Sequence, residues 1–142
     1  AVMISRILFV TDFAAVTRKA EDYALAIARA MGANVTMLHV VEPIEGADDE
    51  LLQKFLSDLA EKASVNAGKV ATRCREANVN ADVRVEIGRR WEVIVDTAAT
   101  EEYDLIVLGS HLIRDGKKVY IGSTTHKVFF AARTPLLLVP NG

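Results

Sequence analysis

Two groups of polar residues in this chain of 142 residues have the types and spacing needed to bind an anionic ligand. The larger group is a glycine followed by hydroxyl-bearing residues: Gly122, Ser123, Thr124 and Thr125. It opens a predicted helix, where unpaired backbone N–H groups, the positive end of the helix dipole and short hydroxyl donors all favour phosphate oxygens. An ordinary capped helix is the alternative that the helix start alone leaves open. The smaller group, Thr11 and Asp12, directly follows the first apolar run.

The stretch that precedes the hydroxyl cluster adds further candidates. Gly109 ends an apolar run, and His111 follows it closely. Arg114 is predicted to be a mobile phosphate partner, because a guanidinium group can engage two phosphate oxygens at once. Lys117 and Lys118 continue the basic stretch, and a solvent-exposed loop is the simpler interpretation of that pair.

Five short apolar runs are predicted to be the strands that position these residues: 7–10, 35–41, 81–87, 105–108 and 136–139. Four of them are apolar on both faces, as strands covered by helices on both sides must be. The run 81–87 alternates strictly between apolar and polar residues, which predicts an edge strand. Helical stripes separate the runs, and they include Tyr23 and Met31 in the first helix, Phe55 and Cys74 in the second and Phe129 in the fourth.

This order of elements predicts a single α/β domain over residues 1–142, Rossmann-like, with helices on both faces of an open parallel five-stranded sheet. With the alternating strand at the edge, the strand order becomes 3-2-1-4-5. Ligands bind such sheets at the carboxyl ends of the strands where the order reverses, which here is between the first and fourth strands. Those strands end in Thr11-Asp12 and at Gly109, and a loop over 110–121 is expected above the crevice.

Composition and missing motifs exclude several function classes. The chain is 51% hydrophobic and 25% charged with a net charge of −2, so electrostatics gives no reason to expect nucleic acid or an anionic membrane as partner. No apolar run approaches the ~20 residues of a membrane span, and we expect a cytoplasmic protein. Lone Cys74 is predicted to be buried, and it cannot form an internal disulfide or, with only three histidines, a structural zinc site.

Known catalytic and nucleotide motifs are also missing. The stretch after Gly109 is not a Walker loop, because the spacing to Gly116-Lys117 is two residues too long and Lys118 stands where Ser or Thr would hold magnesium. No G-x-G-x-x-G follows the first strand, and neither G-x-S-x-G nor H-E-x-x-H occurs. We therefore predict that the protein is not an enzyme.

Four segments together resemble the universal stress protein family over essentially the whole chain: Val10-Thr11-Asp12-Phe13, Leu38-His39-Val40-Val41, Leu108-Gly109-Ser110-His111 followed by Gly122-Ser123, and the closing segment 134–140. The resemblance implies a parallel five-stranded α/β fold and a homodimer formed through the last strand. It also implies an ATP-binding motif, G-x2-G-x9-G-[ST], in the branch of the family that binds nucleotide.

Carried over by this resemblance, Asp12 bonds the ribose, Thr11 and Val40 border the adenine, Gly109 passes under the nucleotide, and residues 122–125 donate to the phosphates. The chain departs from the motif at its second glycine, where it has Leu112. Two hypotheses follow. Either the protein is a non-catalytic module that responds to ATP or AMP, with or without Mg²⁺, by ordering the loop 110–121. Or it is a dimeric scaffold whose crevice is closed by Leu112 and which takes no cofactor.

Overall fold

The computed structural model describes residues 2–11, 17–43, 46, 48–110 and 112–140, with the backbone alone described at 110, 112–114, 119 and 120. The elements are β1 (Arg6–Val10), α1 (Arg18–Met31), β2 (Asn34–Val41), α2 (Asp49–Glu76), β3 (Ala81–Ile87), α3 (Arg90–Thr100), β4 (Leu105–Ser110), β5 (Leu112–Asp115), β6 (Lys118–Ile121), α4 (Ser123–Ala131) and β7 (Leu136–Pro140). Across these described ranges, no helix combines the length and apolar character that a membrane span needs.

The main sheet has five parallel strands in the order β3-β2-β1-β4-β7. This order confirms the predicted α/β fold, with β7 as the fifth strand of the sheet. The alternating strand β3 lies at one edge, as its pattern predicts, because only an edge strand can leave polar side chains partly in water. The order reverses between β1 and β4, which pair directly with Val10 opposite Leu108.

Helices cover the two faces of the sheet in pairs. On one face, α1 and α2 pack against β-strand residues such as Phe9 and Val107 through small or short side chains of Ala24 and Cys74. On the other face, α3 and α4 pack through Ile94, Ala98 and Val128 onto a second set of strand residues. The central strands are buried on both faces, which explains their unbroken apolar runs.

Four residues of the predicted apolar helix faces are exposed rather than buried. Tyr23 is 49% exposed, Met31 43%, Phe55 38% and Phe129 67%. In α1 the reason is that the alanines at positions 20, 24 and 28 form the contact with the sheet. Their small side chains let the helix backbone approach closely, so that Tyr23, one position from Ala24, lies outside the buried strip.

The prediction of a loop over 110–121 is wrong for most of that region. It contains a second, two-stranded antiparallel sheet in which β5 pairs with β6, with Leu112 opposite Ile121 and Asp115 opposite Lys118. The two loop residues include Gly116 at φ 59°, a conformation that glycine adopts without steric cost. The hairpin therefore joins the end of β4 directly to the start of α4.

A buried ion pair connects the two helices of the first face. Glu21 of α1 is 4% exposed, and one of its carboxylate oxygens accepts a hydrogen bond of 2.8 Å from Arg73 of α2. Arg18 lies 2.9 Å from the other oxygen of the same carboxylate. Cys74, next to Arg73, is buried as predicted, at 1% exposed. Burial raises the pKa of the Cys74 thiol, and the nearby Glu21 carboxylate raises it further.

We expect Cys74 to react slowly with a disulfide-exchange reagent in the native protein at about pH 8, because it is both shielded and kept in the thiol form. The native rate should be lower than that of the urea-unfolded chain by about two orders of magnitude, since reaction requires local opening. Stopped-flow absorbance measures both rates. Equal rates in the two states would show that α2 does not protect this thiol.

Candidate functional site

A cleft of about 320 Å³ lies at the carboxyl ends of the strands, at the point where the strand order reverses. Its walls come from the ends of β1, β2 and β4, the start of α4, and two residues that precede or begin helices on the opposite faces. The lining residues are Val10, Thr11, Thr17, His39, Val40, Arg90, Leu108, Gly109, Gly122, Ser123, Thr124 and Thr125.

Most of the residues singled out by sequence meet in this cleft. Thr11, Val40, Gly109 and the run 122–125 all line it. Asp12 and His111 lie outside the described residues, and Arg114 is described only in its backbone, as the third residue of β5. The structure thus brings the candidates from two distant parts of the chain together. Their contacts with a ligand stay predictions.

Three hydrogen bonds hold Thr11 at the floor of the cleft. Its backbone N–H donates to the Leu38 carbonyl at 3.0 Å, which continues the sheet by one residue. Its own carbonyl oxygen lies 2.9 Å from Nδ1 of His39. Since a carbonyl only accepts, Nδ1 of His39 must carry the proton. The Thr11 hydroxyl lies 3.1 Å from that of Thr17, which precedes α1. Thr11 therefore fixes the start of α1 relative to β2.

The start of α4 lines the cleft with residues 122–125. Gly122 is the N-cap residue and makes no side-chain capping bond, and the first turn contains no acidic residue. The helix is formed from its first turn, because the His126 N–H donates to the Gly122 carbonyl at 3.0 Å. Thr125 is buried, whereas Ser123 is exposed and Thr124 lies between these extremes. This end of the helix is consequently electropositive and rich in donors.

The glycines at 109 and 122 are not needed by the backbone. Neither has a positive φ, and a Cβ added at Gly122 would have no atom within 4 Å. A Cβ at Gly109 would meet the Ala20 Cβ at 3.5 Å and the Thr17 Cγ2 at 3.7 Å, which are ordinary contacts. The fold tolerates alanine at both places, and the open space beside Gly122 is available to a ligand.

Sequence reasoning did not select five of the lining residues: Val10, Thr17, His39, Arg90 and Leu108. His39 lies within an apolar run, as is typical of a core or strand-end histidine, and it is half-buried and also lines the cleft. Arg90 begins α3, and its N–H donates to a Glu42 carboxylate oxygen at 2.9 Å. Its position directly after β3 could have indicated this contact, because α3 must then begin at the carboxyl ends of the strands, where the cleft lies.

The described lining of the cleft favours negative charge. Arg90 contributes a guanidinium group, and α4 contributes its positive end, while no Asp or Glu occurs among the described lining residues. One wall is apolar and consists of Val10, Val40 and Leu108, which are 7%, 2% and 6% exposed. A molecule with a flat apolar part and an anionic part matches both walls.

The chain belongs to the universal stress protein family, whose family model matches residues 3–140. It is 30% identical over 139 residues to the Thermus aquaticus "universal stress protein in QAH/OAS sulfhydrylase 3′ region", which covers 96% of this chain and 99% of that protein. The structure of protein MJ0577 of Methanocaldococcus jannaschii superposes with a TM-score of 0.87 at 26% identity, over 99% of both chains. The UspA structure from Lactobacillus plantarum gives a TM-score of 0.86 at 26% identity, over 98% of this chain and 99% of that one.

More distant structures of the family contain nucleotides. A universal stress protein in complex with cAMP has a TM-score of 0.75 at 20% identity, over 99% of this chain and 100% of that one. An Archaeoglobus fulgidus protein in complex with dAMP has a TM-score of 0.70 at 18% identity, over 98% and 99%. An Arabidopsis thaliana protein with AMP bound has a TM-score of 0.69 at 13% identity, over 97% and 92%. At these identities the likeness to this chain is one of fold.

We expect Gly109→Ala and Gly122→Ala each to change the free energy of unfolding by less than about 1 kcal/mol, because the added methyl group meets ordinary van der Waals contacts at 109 and no atom within 4 Å at 122. Urea unfolding followed by circular dichroism measures this change. Gly88→Ala is the contrasting variant, since its backbone has a φ of 156° and its Cβ would lie 2.9 Å from Val93 Cγ2. A loss of more than about 2 kcal/mol at 109 or 122 would mean that the backbone itself requires glycine there.

Proposed function

We propose that this protein is a non-catalytic universal stress protein that binds an adenine nucleotide, ATP or AMP, in the cleft between β1 and β4. The observation that carries the proposal is the uncapped, carboxylate-free start of α4, which faces a cleft that also contains Arg90. Backbone N–H groups and hydroxyls at a helix start, together with a nearby guanidinium group, form a suitable environment for phosphate oxygens.

The two walls of the cleft contact different parts of the nucleotide. The phosphates lie at residues 122–125, with Gly122 leaving room for close approach. The adenine lies against Val40 and the adjoining apolar wall, beside Thr11. Asp12 is proposed to bind the ribose, and His111 and Arg114 are proposed to approach the phosphates from the segment that follows β4. The nucleotides bound by the cAMP, dAMP and AMP complexes of the family support this assignment.

The proposal contains no catalytic step. The described lining residues provide hydroxyl groups, backbone donors and a cation, but no carboxylate beside the phosphates that could activate water. His39 has Nδ1 committed to the Thr11 carbonyl. Mg²⁺ is proposed to enter with ATP rather than as a resident ion. Nucleotide binding changes the conformation of the hairpin of β5 and β6, because that hairpin connects the end of β4 to the start of α4.

We expect the dialysed protein to bind ATP or AMP, with Ser123→Ala and Gly122→Ala each weakening the affinity by about tenfold or more. Arg90→Gln should weaken ATP more than AMP, because it removes a cation from the cleft lining and ATP carries the larger negative charge. Isothermal titration calorimetry measures these affinities.

The matched controls for that titration are Ser57→Ala and Arg89→Gln. Ser57 is exposed on α2, and Arg89 is exposed in an ion pair of 3.2 Å with Glu92. Both should leave the nucleotide affinity within about twofold, since neither residue lines the cleft. Equal effects of Arg89→Gln and Arg90→Gln would point to long-range charge and would contradict a contact at Arg90.

A second candidate is a dimeric scaffold without a ligand. It is favoured by Leu112, which replaces the second glycine of the family's ATP motif, and by β7, a sheet edge with no partner strand among the described residues. In both candidates, a second copy of the chain is proposed to pair with β7 in a homodimer. Such pairing satisfies the unpaired N–H and C=O groups of the edge.

Leu112→Gly distinguishes the two candidates. If leucine closes the cleft, the wild type should show no heat of binding with ATP, and the variant should bind in the micromolar range. If the cleft already accepts nucleotide, the substitution should change the affinity by less than about threefold. Sedimentation velocity on the same samples establishes whether β7 forms a dimer in each case. A wild type and a variant that both fail to bind would eliminate the nucleotide proposal.

A further inference from the structure

A second cavity, of about 450 Å³, opens at the amino ends of the strands, whereas the cleft lies at their carboxyl ends. Its lining begins at the first residues of β1 and β2 and includes two side chains of β3 and two residues that follow α3. Two polar residues in it are deeply buried, since Thr36 and Tyr103 are each 6% exposed. This cavity shares no residue with the cleft.

Hydroxyl groups and a carboxylate form a directed chain along the cavity wall. The Tyr103 hydroxyl donates to the Thr36 hydroxyl at 2.9 Å, and the Thr36 hydroxyl donates to Oδ1 of Asp82 at 2.9 Å. Because each hydroxyl has one proton, this arrangement requires a terminal acceptor, and the Asp82 carboxylate is that acceptor. Asp82 uses one oxygen in this way and has further acceptor capacity for a ligand.

One pair of opposite charges in the cavity lining is already neutralised. Arg84 makes an ion pair with Glu101, and its other terminal nitrogen lies 2.9 Å from Glu86. These bonds, with that to Glu101 first, raise the pKa of the Arg84 guanidinium, so Arg84 is permanently charged and occupied by its carboxylates. Two charged lining residues are then left, Arg6 and Asp82.

Backbone hydrogen bonds and a ring contact hold Arg6 in place. Its backbone N–H and that of Ser5 donate to one oxygen of Asp104, at 3.0 and 2.8 Å. Its guanidinium carbon lies 4.5 Å from the centre of the Tyr103 ring, which is a cation–π contact. Within the part of the chain that the structure describes, no carboxylate forms an ion pair with this group. The donors of the guanidinium are thus available to an anion.

We propose that this cavity binds a small zwitterion, with its carboxylate on Arg6 and its ammonium group on Asp82. A simple anion would meet Arg6 but also the carboxylates of Asp82 and Glu101, and a simple cation would meet Asp82 but be repelled by Arg6 and Arg84. A ligand with one charge of each sign satisfies both residues and leaves the cavity neutral.

The sheet geometry sets the separation of the two charges in the ligand. Arg6 lies on β1 and Asp82 on β3, with β2 between them. Arg6 pairs with Asn34 and Asp82 pairs with Thr36, so the two residues are also offset by two positions along the strands. With about 4.8 Å per strand and about 3.3 Å per residue, their backbones are about 12 Å apart. The charged groups of the ligand must therefore be several bonds apart, as in an ω-amino acid with a flexible chain. The Thr36 hydroxyl and the Asn34 amide, which also line the cavity, can bond the polar atoms between the two ends.

The test is a titration of the full ¹⁵N-labelled chain, followed by NMR, with glycine, γ-aminobutyrate, ε-aminohexanoate, acetate and methylammonium. We expect saturable shifts in the amides around Arg6, Asn34 and Asp82 with the longer zwitterions, at least about tenfold weaker effects with glycine, and no saturation with acetate or methylammonium. Shifts that are the same with acetate as with γ-aminobutyrate, or no saturable shift with any compound, would overturn the proposal.

Two substitutions assign the ends of the ligand. Arg6→Gln keeps a polar side chain of useful length, and Asp82→Asn keeps an oxygen that can accept from Thr36. Each should weaken binding by about tenfold or more. Lys54→Gln and Asp58→Asn, both on the exposed part of α2, are the matched controls and should have no effect. Unchanged binding in either cavity variant would refute the assignment. ATP should not compete, since the cleft lies at the other edge of the sheet, so the result is independent of the nucleotide proposal.

Discussion

The direct pairing of β1 with β4 is the constraint on which the cleft depends. Both strands run in the same direction, so their carboxyl ends meet at one edge of the sheet, with Val10 opposite Leu108. The chain then leaves the two strands on opposite sides. After β1 it forms α1, which packs on one face, and after β4 it reaches α4, which packs on the other. Because the connections diverge, a crevice opens between the strand ends, and the cleft lies there.

Much of this arrangement could be predicted from local sequence. Unbroken apolar runs identified the strands that are buried on both faces, and the alternation in 81–87 identified β3 as an edge. Gly122 with its hydroxyl residues located the start of α4 to the residue. The hairpin of β5 and β6 was not predicted, although Asp115-Gly116 lies between two segments that contain β-branched and aromatic residues. The polar and apolar residues of these short strands do not alternate cleanly, so periodicity does not identify them.

The residues missed at the cleft have a different cause. Arg90 and His39 contact the cleft because helix α3 begins beside β3 and because β2 ends beside β1, which are properties of the assembled sheet. A single-sequence pattern cannot reveal such contacts, since each residue alone looks like a helix start or a strand end. The exposed Tyr23 and Phe129 show the same limit for burial. The spacing of apolar residues does not by itself determine how many of them a helix buries, as the alanine contact of α1 shows.

The two edges of the sheet differ in how their polar groups are satisfied. At the amino edge, hydroxyls, guanidinium groups and carboxylates bond mainly to one another, as in the chain from Tyr103 to Asp82. At the carboxyl edge, α4 begins without a side-chain cap, and its first turn has no acidic residue to offset the helix dipole. With glycine at the N-cap a helix is less stable by only about a few tenths of a kcal/mol than with Ser or Asp, but no side-chain oxygen accepts from the N–H groups of the first turn. An anion bound at this edge supplies the missing acceptor, so binding there also stabilises the first turn of α4 and the hairpin that leads into it.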